Sequence, residues 1–250
     1  MFFLAATPFE QFSIKTLYPI TNGYLSISIT NAVLTQLLIL VSLIFFFGYA
    51  LPFFRLIPNF LQLIFEEICI FIMFLMSEHL RRVDYKYYPM LVVLFFFVLT
   101  ANFLGMLPYS FTLTSHIAVT FFVAFSLCIG IFIIGNMYNG VTLYGSFIPS
   151  GAPIALAPLL FSIEWISYLS HSFSLAIRLF ANMMAGHALL KIISGFAITI
   201  NSNNVISLIL IFPLGIIFAL TILEIGIAML QSYVFVVLST IYLKDATILH

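Results

Sequence analysis

Charged residues are scarce in this sequence. Only 6% of its 250 residues are Asp, Glu, Lys or Arg, whereas a soluble domain has about 25%. Basic and acidic residues balance at eight each, so no excess of positive charge points to nucleic acid. Because 64% of the residues are hydrophobic, the chain would aggregate in water. We therefore predict a polytopic integral membrane protein whose solvent is a lipid bilayer.

The sequence also lacks the patterns of several other protein classes. Its apolar runs are long and continuous and do not alternate, which excludes a transmembrane β-barrel. Two cysteines, Cys69 and Cys128, lie in apolar runs, and we interpret them as small buried hydrophobic residues. No GxxxxGK[ST], GxGxxG or HExxH pattern is present. We therefore expect no catalytic centre, no metal site and no cofactor.

The distribution of apolar segments predicts an all-α integral membrane protein. Residues 1–29 form an N-terminal segment without a predicted element, and 30–250 form a single membrane domain. We predict about three upright transmembrane helices, over 30–51, 88–107 and 116–135. Residues 58–86 carry several charged side chains among apolar ones, and this mixture favours an amphipathic helix that lies along the membrane interface.

The last third of the chain contains two apolar segments of unusual length, over 154–200 and 205–245. A helix over 159–200 alone would extend ~63 Å, about twice the ~30 Å thickness of the hydrocarbon core. The tetrapeptide NSNN at 201–204 is a turn signal. We predict a hairpin of two long, steeply tilted intramembrane helices packed antiparallel.

Basic residues near the ends of the spans predict the orientation. They fall between the first span and the span over 88–107, at Arg55, Arg81, Arg82 and Lys86. We expect that side to be the cytoplasm or, in a mitochondrion, the matrix. The N-terminus then lies on the opposite side of the membrane.

A stripe of polar side chains runs along the first long helix. Measured from Arg178, Glu164, His171 and Asn182 all fall within about 40° on the helical wheel. Burying an arginine in a membrane helix costs roughly 2.5 to 3.5 kcal/mol on insertion scales. On one straight helix, Glu164 is ~21 Å from Arg178, so the two are not partners. The sequence leaves open whether His171 is functional or a polar packing residue.

Small residues lie beside this stripe. The wheel positions next to Arg178 carry Ser174, Ala181 and Ala185, together with further serine and alanine residues. Small residues allow another helix to approach closely within lipid. The face that carries Arg178 is therefore predicted to receive a partner helix.

The opposite face of the same helix carries His187. It is predicted to face the second long helix, where Glu224 is the acidic residue within the apolar stretch and Gln231 follows seven residues later. Imidazole titrates near neutrality, and intramembrane ionisable residues commonly mark proton paths. His187 and Glu224 are therefore a candidate proton relay, with helix–helix packing as the alternative role for both and for Gln231.

Two segments resemble the subunit a family of rotary proton-translocating ATP synthases. The first is SLAIRLFANMMAGH at 174–187, which matches the family run Arg-Leu-x-x-Asn-x-x-x-Gly-His. Its matching residues are Arg178, Leu179, Asn182, Gly186 and His187. Glu164 occupies the position of the family's acid, 14 residues before the arginine. The second segment is LEIGIAMLQSYVF at 223–235. The resemblance extends from about residue 88 to the C-terminus.

The resemblance implies a role in proton translocation. Members of this family pack as a stator against a ring of small proteolipid subunits, each with a membrane carboxylate, and contact other membrane and peripheral-stalk subunits. Arg178 would keep passing carboxylates ionised and block a leak. His187 and Glu224 would belong to the intermembrane-side half-channel and Glu164 to the matrix-side one, with Asn182 and Gln231 as polar neighbours of the arginine.

A different class of function is a stand-alone proton-coupled secondary transporter that uses Arg178 and Glu224. Such transporters commonly contain internal repeats, and the two long helices share no pattern. The resemblance therefore favours a non-catalytic stator subunit. It implies a multi-pass protein of the mitochondrial inner membrane, with a bacterial inner membrane as the alternative.

Overall fold

The computed structural model describes residues 8–22, 25–50, 58–80, 82–107, 110–140, 142, 145, 156–202 and 211–247. In these ranges, six helices are long and apolar enough to cross a membrane. They are α1 (Asn31–Ala50), α2 (Phe60–His79), α3 (Tyr88–Gly105), α4 (Ile117–Asn139), α5 (Ala157–Ser202) and α6 (Ile211–Thr247). The predicted class, an all-α integral membrane protein, is confirmed.

The segment before α1 contains a β-hairpin that the sequence analysis did not predict. Strands β1 (Thr16–Asn22) and β2 (Leu25–Thr30) pair antiparallel, with Thr16 opposite Thr30. The Asn31 side chain joins this hairpin to the start of α1. Its Oδ1 accepts from the backbone N–H of Lys15 at 3.1 Å and its Nδ2 donates to the Ser13 carbonyl at 3.1 Å. The sequence signal for the hairpin is the Asn-Gly pair at 22–23, which favours a tight turn.

The helix predicted over 58–86 is shorter than expected. α2 ends at His79, where Leu80 adopts an extended backbone with φ −110° and ψ 153°. A six-residue 3-10 helix follows over Arg82–Tyr87. The single continuous helix is therefore a wrong prediction, because the extended residue at 80 ends the helical hydrogen bonding. The length and composition of α2 allow it to cross a membrane, and its location at the interface stays a prediction.

Two other helix ends differ from the predicted ones. α3 ends at Gly105 instead of 107, and α4 continues to Asn139 instead of 135. The hydroxyl of Ser110 donates to the carbonyls of Leu104 at 2.8 Å and Gly105 at 3.1 Å. These bonds satisfy carbonyls that the end of the helix leaves without partners.

The two last helices have the predicted excess of length. α5 has 46 residues and α6 has 37, which correspond to ~69 Å and ~56 Å. Both exceed the ~30 Å hydrocarbon core. The part of the second helix predicted over 205–210 lies outside the described residues, and the tilt of both helices stays a prediction.

The chain divides into two compact units, which we describe separately. The first comprises Met1–Phe47, Phe97–His116 and Leu179–Ser232. The second comprises Gly48–Phe96, Ile117–Arg178 and Tyr233–His250. Within the second unit, the end of α6 is held by side chains of other elements. Asn139 Nδ2 donates to the Ala246 carbonyl at 2.7 Å, and the Thr247 hydroxyl donates to Asp84 Oδ2 at 3.5 Å.

Candidate functional site

Glu224 lies against the backbone of α5 in the first unit. Its side chain is buried, with 7% exposure. A Cβ atom at Gly186 would lie 3.0 Å from Glu224 Cδ and 3.1 Å from Cγ, and would overlap Oε1. Any other residue at 186 would therefore displace the carboxyl group, so glycine creates the space that Glu224 occupies.

His187 follows Gly186 and is also buried, with 8% exposure. Within the described residues, His187 Nε2 and Glu224 Oε1 have no hydrogen-bond partner. The two titratable groups thus lie in one unit without a direct hydrogen bond between these atoms. A proton passing between them would need a bridging water or a side-chain rotation, and the relay stays a prediction.

Asn182 and Gln231 form a polar contact between α5 and α6. Asn182 Nδ2 donates to Gln231 Oε1 at 3.4 Å. Gln231 is buried and Asn182 is half-buried. Along α5 the contacts proceed from Asn182 to Gly186, and along α6 from Gln231 back to Glu224. The two helices are therefore antiparallel in this unit. The sequence analysis assigned both amides as neighbours of the arginine but not as partners of each other.

The second unit exposes the charged part of the polar stripe. Glu164, His171, Ser174 and Arg178 are all exposed on α5. Phe173 and Ile177 of the same segment are exposed as well, so the single polar face drawn from the helical wheel stays a prediction. An arginine that is exposed in a helix of this apolar character lacks the surroundings of an ordinary buried ion pair.

The small residues of the stripe are exposed as well. On the part of α5 in the first unit, Ala181 and Ala185 leave their side chains accessible, while Leu179 and Met183 are buried. The accessible residues of this part of α5 thus include small ones beside larger ones such as Leu189, and the small ones permit close approach of another helix.

His171 contacts an aromatic pair of the second unit on one side. Its ring centroid lies 5.4 Å from that of Tyr242, and the Tyr168 ring lies 6.3 Å from Tyr242. The Tyr168 hydroxyl donates to the Cys128 carbonyl at 3.2 Å. The sequence analysis missed both tyrosines, because tyrosine in a membrane helix also serves as an interface residue.

The sequence analysis also missed Asn102. This amide is fully buried in α3, and its Nδ2 donates to the Ala228 carbonyl of α6 at 3.4 Å. The available signal was a lone amide within an 18-residue apolar helix. Polar residues inside membrane helices usually mark functional positions or hydrogen bonds between helices.

The chain is similar to a known family over most of its length. Residues 32–244 match the family described as ATP synthase A chain. ATP synthase subunit a of Marchantia polymorpha is 46% identical over 252 residues, covering 99% of this chain and all of that protein. The Chondrus crispus protein is 41% identical over 249 residues, covering 99% and 98%. The Rhodospirillum rubrum protein is 43% identical over 244 residues, covering 98% and 99%. The chain therefore belongs to the ATP synthase A chain family.

Proposed function

We propose that this chain provides two proton half-channels beside a rotating ring of small proteolipid subunits. As a member of the ATP synthase A chain family, it is a non-catalytic membrane subunit of the ATP synthase FO sector that takes part in proton transport. The observation that carries the finer proposal is the exposed Arg178, in a helix of membrane-spanning length. In this proposal, the positive charge faces the ring.

Arg178 is proposed to act on the carboxyl groups of the ring. An exposed arginine in the hydrocarbon region costs several kcal/mol unless a partner compensates its charge. An opposite charge within about 4–6 Å lowers the pKa of a carboxyl group and favours its ionised form. Arg178 thus promotes proton release from each ring carboxylate that passes. Its fixed positive charge also repels protons and prevents a direct leak between the half-channels.

The small exposed residues support a helix as the partner. Ser174, Ala181 and Ala185 lie on the accessible face of α5. Backbones approach most closely where side chains are small, and close approach brings the guanidinium near a carboxyl group on the facing helix. A lipid-facing surface gains nothing from such residues. We therefore propose that a ring helix packs here.

The buried polar groups of the first unit are proposed to form the inlet half-channel. Glu224 and His187 would take up protons from the outer side, and the Asn182–Gln231 pair would extend the polar path. Water enters polar cavities when several polar groups are available to bind it. The unpartnered atoms of His187, Glu224 and Gln231 would provide such groups in the described part of this unit.

The exposed acid of the second unit is proposed to form the outlet. Glu164 would pass protons to the matrix or cytoplasm after their release at the ring. His171 lies on the same exposed face between Glu164 and Arg178, and we propose it as an optional member of this outlet. The side chain of His171 is exposed although its ring contacts Tyr242.

The chain works with other ATP synthase subunits and is a multi-pass membrane protein. Its partners are proposed to include the proteolipid ring, further membrane subunits and the peripheral stalk. Relatives occur in a liverwort, a red alga and a bacterium. We propose the mitochondrial inner membrane as the location, with a bacterial inner membrane as the alternative.

The proposal is tested by replacing Arg178 with alanine in the assembled complex. We expect loss of proton-driven ATP synthesis, because ring carboxylates would then hold their protons. The matched control is Lys191→Ala, which removes a basic side chain from the same helix and is expected to keep synthesis. Normal synthesis by an assembled Arg178→Ala complex would refute the role of the arginine.

A further inference from the structure

The end of α3 and the turn that follows it carry four polar side chains, three buried and one half-buried, that belong to neither proposed half-channel. We propose that this set, Asn102, Thr112, Thr114 and His116, lines the outer leg of the inlet and conducts protons from the surface toward Glu224. This inference rests on the proposed function and specifies how protons reach its inlet. All four residues belong to the first unit, as does Glu224.

Asn102 connects this set to the helix of Glu224. Its carboxamide donates to the carbonyl of Ala228, one helical turn after Glu224. Asn102 is fully buried, and its Oδ1 has no hydrogen-bond partner within the described residues. One end of this amide is therefore used to contact α6, while the oxygen remains able to accept a hydrogen bond.

The next part of the set is Thr112, which packs against α3. Its Cγ2 lies 3.3 Å from the position of a Cβ at Gly105. Gly105 follows Asn102 by three residues, so both lie on the same side of α3. Glycine at 105 lets the methyl group of Thr112 approach the helix backbone, which places this threonine at the end of α3 on the side that carries Asn102.

The two threonines of the turn have hydroxyl groups without partners. Thr112 and Thr114 are 0% and 5% exposed, and neither Oγ1 forms a hydrogen bond in the described part of the chain. Ser115, between Thr114 and His116, behaves differently, since its hydroxyl donates to the Thr112 carbonyl at 2.7 Å. A hydroxyl group of this turn can therefore bond to a backbone carbonyl of the same turn. The hydroxyl groups of Thr112 and Thr114 do not, and they remain able to bind water.

His116 ends the set at the protein surface. Its ring is half-buried and stacks on Phe111, with centroids 5.0 Å apart. Burial lowers the pKa of His116, so the imidazole is neutral near pH 7. A neutral imidazole has one nitrogen that accepts and one that donates, which suits a group that receives protons from water.

The turn is anchored at the side expected to be outside. Gln11 Nε2 donates to the Ser110 carbonyl at 3.5 Å. This contact brings the N-terminal segment and the end of α3 to the same side, as the distribution of basic residues predicts.

Burial of unpartnered polar atoms argues for hydration of this set. An oxygen buried without a partner is unfavourable, and buried waters typically bind such groups. Three acceptors at Asn102, Thr112 and Thr114 provide successive sites for water between the surface and Ala228. A proton moves along such a chain by breaking one O–H bond as the next one forms, so no oxidant or reductant is required.

The first test removes both hydroxyl groups and keeps the shape of the side chains. In the Thr112→Val, Thr114→Val complex we expect proton-driven ATP synthesis to fall at least threefold, with a steeper dependence on the outer proton concentration. Ser at both positions is expected to restore the rate. The control Thr240→Val removes a buried hydroxyl that already donates to the Val237 carbonyl and is expected to leave the rate unchanged. Wild-type rates in the double variant would overturn the inference.

A second test can be used even if the complex with the two valine substitutions does not assemble. Thr114→Cys is introduced in a background with Cys69→Ala and Cys128→Ala, and the complex is treated from the outer side with a cationic methanethiosulfonate reagent. We expect labelling and loss of synthesis. The control Ser239→Cys, whose native hydroxyl is buried and donates to the Phe235 carbonyl, is expected to resist the reagent. An active Thr114→Cys complex that resists labelling would also overturn the inference.

The two proposals fail in different ways. Normal synthesis by the Arg178→Ala complex refutes the half-channel mechanism as a whole. Loss of synthesis in that variant, together with full activity of the Thr112→Val, Thr114→Val complex and no labelling of Thr114→Cys, leaves the mechanism in place and refutes only the proposed outer leg of the inlet.

Discussion

Replacing Gly186 with alanine adds one methyl group where Glu224 packs against α5. The added Cβ would lie 3.0 Å from Glu224 Cδ and overlap the carboxyl oxygen Oε1. Glu224 is buried between the helices, so its side chain must rotate away from α5. Glu224, the proposed inlet acid, is then displaced but remains a carboxylic acid that can bind and release a proton.

The change in stability is expected to be small because two effects oppose each other. Adding a methyl group to a packed contact costs about 1–3 kcal/mol, whereas replacing glycine with alanine in a helix gains about 1 kcal/mol. The net destabilisation is therefore about 0–2 kcal/mol. A carboxyl group displaced by about 1 Å can lower a rate on the order of 10²-fold, so we expect the loss of ATP synthesis to exceed the loss of stability.

Gly195→Ala is the matched control in the same helix. A Cβ at this position meets no atom within 4 Å, so only the helical preference for alanine acts, and the variant is expected to be fully active. Both variants are assayed for proton-driven ATP synthesis and for thermal unfolding of the complex. If Gly186→Ala matches Gly195→Ala in both assays, the packing of Glu224 against Gly186 is not required for function, and this reasoning is refuted.

Two further predictions concern titratable residues. Glu224→Gln keeps the size of the side chain but removes its ionisation, and it is expected to slow proton uptake from the outer side at least tenfold. The control Glu78→Gln, at an exposed position of α2, is expected to leave the rate unchanged. Equal rates in the two variants would show that Glu224 is not part of the relay. Burial lowers the pKa of His116 in the folded protein. The unfolded chain therefore binds a proton at this residue more readily than the folded protein does. The folded protein keeps its full stability above about pH 6.5 and loses part of it as the pH falls further. His116→Gln is expected to show a smaller drop in melting temperature between about pH 7.5 and about pH 5.5 than the unchanged protein. The same drop in both proteins would contradict the lowered pKa of His116.

Local rules predict part of this molecule well. The cost of an arginine in lipid and the angular position of Arg178 predict an unusual face on α5, and that face is exposed. The excess length of α5 and α6 also follows from counting apolar residues. These features depend on one helix at a time, which is why the sequence is sufficient for them.

Contacts between distant parts of the chain were not predictable in the same way. Asn102 and Ala228 are 126 residues apart, and no local pattern specifies which carbonyl a buried amide will contact. The pairing of Asn182 with Gln231 depends on the register of two helices. The end of α2 at His79 was missed because the charged residues after it also fit a helical pattern, while the extended backbone of Leu80 has no strong sequence signal.

The central claim is that the Arg178 face of α5 contacts a separate ring of subunits. Its most direct test is cross-linking from Ala181→Cys, introduced into the assembled complex without Cys69 and Cys128, to a cysteine on the outer helix of the proteolipid. We expect a cross-link at position 181 and none from Phe122→Cys, which is exposed on α4. A cross-link from Phe122→Cys with none from Ala181→Cys would contradict it.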